Sequence, residues 1–189
     1  KWLIDAHPDI LACDAHGRPR TFGSRRHYSF SSKTYLQESK RIVRALAERY
    51  GAHPAVRWWQ TDNEYGCHDT VERNDADARL GFRVRLADKY GDVDALNTAW
   101  GAVFWSQEYR SLDEVDPPLA TVTEPTPRHI LDWRRFSSDQ VARYNAMQVA
   151  AIREHATNAA ITHNFMGHFT EFDHYPVGEQ IDVSTWDSY

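Results

Sequence analysis

The sequence predicts an α/β domain with parallel strand pairing, and three observations carry that expectation. A run with helical spacing ends at Gly51 and is followed closely by Ala55-Val56-Arg57-Trp58-Trp59-Gln60, a short β-branched and aromatic stretch. That stretch stops abruptly in the polar cluster Thr61-Asp62-Asn63-Glu64, so polar groups fall at the carboxyl end of a strand. Helices, a strand, a connection and a last strand then follow, an order that indicates parallel pairing.

The elements follow in order. From Lys1 to Ser31 there is no sustained period, and Asp14, Gly17, Pro19 and Gly23 are turn formers, so a long loop is expected. From Thr34 to Tyr50, Tyr35, Leu36, Ile42, Val43, Leu46 and Ala47 recur at helical spacing, with Ser32 as N-cap. After the first strand, Ala78, Phe82, Leu86 and Tyr90 mark a second helix that Gly91 stops, and Asp92 caps a shorter one reaching Trp100. Val103 to Thr126 reads as loop, with Pro117-Pro118 and Pro125. A long helix is expected from Pro127 to His155, with a break near Ser137-Ser138. Two strands close the chain, Ala160 to Phe165 and Ile181 to Ser184, the second leading into Trp186-Asp187.

Composition narrows the function. With 41% hydrophobic and 26% charged residues the chain can bury a core. A formal charge of -5 with interspersed signs lacks the basic footprint of a nucleic-acid binder, and no apolar run is long enough to span a bilayer. Lys1-Trp2-Leu3-Ile4-Asp5 lacks the apolar stretch of a secretory signal, so nothing in this segment argues for export and the expected compartment is the cytoplasm. Cys13 and Cys67 make neither a disulfide framework nor a metal clip, and the ten histidines are scattered without ligand spacing. Seven tryptophans give an aromatic content suited to stacking on sugar rings, although most of them serve equally well as core.

Asn63-Glu64 after Trp-Trp-Gln is the sharpest chemical signal. A glycosidase needs a carboxylic acid that protonates the leaving oxygen, beside a group that bonds the sugar 2-hydroxyl as positive charge develops on the ring. A glutamate and its preceding asparagine at a rigid strand end meet both needs.

These residues resemble glycoside hydrolase family 42. The resemblance rests on Gly23-Ser24-Arg25-Arg26-His27-Tyr28, on Leu46-Ala47-Glu48-Arg49-Tyr50-Gly51 with His53-Pro54, and on Trp59-Gln60-Thr61-Asp62-Asn63-Glu64-Tyr65-Gly66. It continues through Leu96-Asn97, Ala99-Trp100-Gly101 and Phe104-Trp105-Ser106 to Asn164-Phe165-Met166-Gly167 and Trp186-Asp187-Ser188-Tyr189. It implies a (β/α)8 TIM barrel, of which residues 1–189 would be a partial catalytic domain, incomplete at both ends, running from after strand 3 to strand 6. It implies a retaining β-galactosidase acting by double displacement, with Glu64 as acid/base, Asn63 on the 2-hydroxyl, and Arg25 and Trp105 in the galactose subsite. The nucleophile glutamate of such enzymes follows a later strand, and neither Glu171 nor Glu179 matches its motif, so the segment alone is expected to be inactive. Members are often trimeric, which implies a homotrimer for the full-length protein.

Some members bind zinc through cysteines. Here Ser29 stands at the first such position and no cysteine lies between His68 and Ala78, so no structural metal and no cofactor are expected. Two other readings stay open: a related barrel glycosidase acting on an arabinoside or fucoside, and a carbohydrate-binding remnant without turnover. Arg25 or Arg26 as an ordinary surface ion pair and Trp105 as core packing are the bland rivals for those positions.

Overall fold

The computed structural model describes every residue except Ser24 and Tyr189. Three parallel strands, β1 (Trp58–Gln60), β2 (Ala160–Met166) and β3 (Val183–Asp187), form one sheet in that order. Trp58 pairs with Ala160 and Gln60 with Thr162, while Thr162 pairs with Val183 and Met166 with Asp187. Because the strands are parallel, their carboxyl ends lie together, and Gln60, Asn164 and Asp187 share one rim of the sheet.

Helices supply the rest: α1 (Trp2–Ala6), α2 (Lys33–Tyr50), α3 (Ala76–Tyr90), α4 (Val93–Trp100), α5 (Pro127–Arg153) and α6 (Tyr175–Gly178). The two N-caps read from the sequence form, Ser32 accepting from the Tyr35 amide and Asp92 from Ala95, and Asp75 adds a third by accepting from Ala78, each worth about 1 kcal/mol by satisfying an orphan donor.

α5 organises the core. Toward its N-terminus Trp133 and Phe136 join Phe82, Leu86, Leu96 and Trp100 of α3 and α4. In its middle Val141 and Tyr144 pack with Phe30, Tyr65 and Phe165 beneath the strand ends. Its last turns bring Ile152 against Ile161 of β2. Trp133 is fully buried, and truncating it to alanine would cost about 3–5 kcal/mol.

The structure corrects several local expectations. α5 runs unbroken through Ser137 and Ser138, which are both buried. Serine in a helix interior costs only a few tenths of a kcal/mol, and here the Ser138 hydroxyl accepts the Asp173 amide at 2.9 Å. The first 31 residues are not a plain loop: they hold α1, a 3-10 turn at Pro8–Ile10, and antiparallel bridges Leu11 to Tyr28 and Cys13 to Pro19. Those pieces are too short for a period to register. β1 begins at Trp58 rather than Ala55, because the turn at His53-Pro54 takes Ala55 and Val56 into hydrogen bonds with His53. Short 3-10 turns at Phe104–Ser106 and Leu112–Glu114 and the four-residue α6 went unforeseen for the same reason.

Candidate active site

β1 is only three residues long, but its ladder extends one step further, the Thr61 amide donating to the Thr162 carbonyl at 2.9 Å. The chain then turns sharply, with Asp62 at φ 51 and Glu64 at φ 44. Left-handed backbone costs a non-glycine residue about 1–2 kcal/mol, so the surroundings must over-determine this turn.

They do so from three sides. Behind it, Asn145 of α5 accepts from the Thr61 hydroxyl at 2.7 Å and from the Tyr65 hydroxyl at 3.0 Å, while Gln148 donates to Tyr65 at 2.8 Å. Beneath it, His163 of β2 takes the Tyr65 amide on Nε2 at 3.2 Å and faces the Thr61 carbonyl with Nδ1. That pairing requires a neutral ring with its proton on Nδ1. In front, the buried Arg26 donates to Asp62 at 2.8 Å, to Tyr28 at 2.7 Å and to the Asn63 carbonyl. Tyr28 completes the triangle by donating to Asp62 at 3.1 Å.

The turn presents Asn63 and Glu64 at the rim. Glu64 is 8% exposed, and the Asn63 side-chain amide donates to its Oε2 at 3.1 Å. Arg25 stands at the edge of ion-pair range, 4.0 Å from the same oxygen, and is itself 62% exposed. The Glu64 backbone amide donates to the Asn164 carbonyl at 3.1 Å, which ties the turn to β2. This arrangement suits a carboxyl that exchanges a proton with a bound ligand, with a cation and an amide beside it.

Burial sets the electrostatics around it. It pushes the Tyr28 and Tyr65 hydroxyls upward, with the Asp62 charge adding to the effect, so both remain protonated donors. It opposes the charge on Arg26, but the Tyr28 and Asp62 oxygens outweigh it and hold the guanidinium charged. Burial pushes His163 down to about 4 against the opposing pull of the Thr61 carbonyl, in keeping with its neutral tautomer.

Of the four residues expected at the site, the structure gathers Arg25, Asn63 and Glu64. Trp105 is not among them: it is 66% exposed, its ring stacks on Phe104 at 4.7 Å, and its backbone is left-handed at φ 56. Within this chain Trp105 does not pack into the core. The cleft between α3 and α5, walled by Leu80, Val84 and Phe136, is lined by none of the four. Ser24 and Tyr189, both within the family-like motifs, lie outside the described residues.

The sequence reading assigned no role to Arg26, Asp62, His163 or Asn164. Two of them carried a faint signal: Arg26 as the second member of an arginine pair, Asn164 as a polar residue near the carboxyl end of its strand. Among the described residues no group of three or more His, Cys, Asp or Glu is arranged to hold a metal ion, and Cys13 and Cys67 are free thiols. Ser29 is buried, and its hydroxyl accepts the Ser31 amide at 3.1 Å.

Known proteins resemble this chain along its whole length. A beta-galactosidase of Thermus thermophilus is 53% identical over 189 residues, covering all of this chain and 29% of that protein. The crystal structure of a beta-galactosidase from the psychrophilic Marinomonas ef1 superposes with a TM-score of 0.97 at 57% identity, again over the whole chain and 29% of the other. That of the polyextremophilic beta-galactosidase from the Antarctic haloarchaeon Halorubrum lacusprofundi gives 0.96 at 50%, covering 100% of this chain and 28% of that one. The chain thus spans under a third of the length of these relatives. The pattern of the glycoside hydrolase 42 family, described as beta-galactosidase, matches residues 1–189, and the chain belongs to that family.

Proposed function

We propose that this chain is the central part of the catalytic barrel of a retaining β-galactosidase, its β1, β2 and β3 being the fourth, fifth and sixth barrel strands. Three parallel strands cannot close a barrel, and relatives more than three times as long supply room for the others. The reading is carried by one observation: Glu64, nearly buried at the end of β1, with the Asn63 amide on its Oε2 at 3.1 Å.

In the first step Glu64 gives its proton to the glycosidic oxygen as the bond from that oxygen to the anomeric carbon breaks. A carboxylate from a later strand, outside this chain, attacks the same carbon and forms a galactosyl ester. In the second step the Glu64 carboxylate takes a proton from water while the water oxygen displaces the ester and releases galactose. Asn63 bonds the 2-hydroxyl, Arg25 the polar rim of the sugar, and Trp105 supplies an aromatic wall in the assembled enzyme.

Replacing Glu64→Gln in the full-length protein tests this. Hydrolysis of lactose, which has a poor leaving group, should slow by about 10²–10⁴-fold. Aryl galactosides with acidic phenols should lose far less in the bond-breaking step. Unchanged lactose hydrolysis would refute the assignment.

A further inference from the structure

We infer that Asn164 is a positioning residue that fixes which way round the Asn63 amide faces, so that the Asn63 amino group meets Glu64. The inference rests on Glu64 and Asn63 acting as proposed above.

The two ends of an amide are nearly the same size, so only hydrogen-bond partners choose between its two orientations. Asn63 has one end on Glu64 Oε2 and the other on Asn164, whose Nδ2 donates to Asn63 Oδ1 at 2.9 Å. Asn164 is itself held at both ends. Its Oδ1 accepts from Gln60 Nε2 at 2.8 Å and from the Glu64 amide at 3.4 Å, and its Nδ2 also donates to Asp187 Oδ2 at 3.1 Å.

The chain of amides is anchored by groups whose polarity cannot reverse. Gln60 Nε2 also donates to the Asp62 carbonyl, at 2.9 Å, and a carbonyl can only accept. Asp187, when ionised, can only accept as well. A carbonyl at one end and a carboxylate at the other therefore dictate the orientation of Gln60, then Asn164, then Asn63. The carboxyl ends of three successive strands thus converge on the polarity of one amide. With Asn164 lost, the Asn63 amide can flip, which turns a lone pair toward Glu64 and inverts the group offered to the sugar 2-hydroxyl.

The test is a double-mutant cycle in the full-length protein, using an aryl β-galactoside and its 2-deoxy analogue. Asn164→Asp keeps shape but replaces the donor with an acceptor, and Asn164→Ala removes both. Each should lower kcat/KM on the 2-hydroxy substrate by about 10- to 100-fold, the range for residues coupled in one hydrogen-bond network. In an Asn63→Ala background each should change kcat/KM by less than about 3-fold, and on the 2-deoxy substrate, where only the contact with Glu64 is disturbed, each should lose less than on the 2-hydroxy substrate.

Thermal melting establishes that the variants are folded. Gln60→Glu, at an exposed position, loosens the same chain without touching the core and should show the same cancellation, from a smaller loss. Equal losses in both backgrounds, or on both substrates, would reduce Asn164 to a structural residue and overturn the inference. Glu64→Gln is measured alongside on lactose: if it is slowed while the Asn164 effects are additive, only this inference falls.

Discussion

His163 lies flat against Tyr65, ring centroids 3.9 Å apart and planes 11° from parallel, with its two nitrogens engaged at either side of the turn that bears Asn63 and Glu64. A buried imidazole used this way must stay neutral, which makes the turn sensitive to acid.

Burial lowers His163 to about 4, and burial likewise lowers His129, which stacks on Trp100, to about 4. An unfolded histidine titrates near 6.5, so above roughly that pH neither state binds the proton and the full stability is present. As pH falls from there toward 4, the unfolded chain takes up protons that the folded chain refuses, and stability falls by about 1.4 kcal/mol per unit for each group. The urea midpoint should therefore be lower at pH 5 than at pH 7. Burial raises Asp75 and Glu72, which works in the opposite direction, so His163→Gln is the control. A variant as pH-dependent as the parent would exclude His163 as a source.

Arg25 and Arg26 are adjacent but should fail differently. Arg26 is 6% exposed and neutralises Asp62, so Arg26→Met strands a partly buried carboxylate and should cost about 3–5 kcal/mol, read as a lower melting temperature. Arg25 is mostly exposed, and Arg25→Ala should move stability by only about 0.5 kcal/mol while lowering kcat/KM. The reverse pattern would mean that the two guanidinium groups have been assigned the wrong way round.

Gly66 closes the motif for two reasons that can be separated. Its φ is 87, and an added Cβ would lie 2.5 Å from the Phe169 ring and 2.8 Å from Val71. Gly91 has φ 80 but open space around it. Gly91→Ala should therefore cost about 1 kcal/mol, from backbone alone. Gly66→Ala should cost about 2–4 kcal/mol, since either the Phe169 and Val71 side chains or the turn bearing Glu64 must shift to relieve the clash. Equal melting temperatures for the two variants would refute the steric argument.

Local chemistry made much of this protein legible in its sequence. Spacing and caps located α2 to α5, because a helix is written in contacts three and four residues apart and in the side chain that closes its first turn. Asn63 and Glu64 stood out because a short apolar strand ended in them. The order of elements gave parallel pairing, since strands joined by helical crossovers return in the same direction. Only the tertiary structure decided how the carboxyl is held. Arg26 reaches Asp62 across 36 residues, and Asn164 reaches Asn63 across 101. His163 meets Tyr65 across 98. No periodicity links such positions, because what relates them is the alignment of parallel strand ends after the chain has closed. Trp105 makes the same point from the other side: its motif names it, but within this chain its ring is exposed and stacked on Phe104. Sequence determines which groups are available, whereas the orientation of an amide or the tautomer of an imidazole is a property of neighbours that only folding supplies.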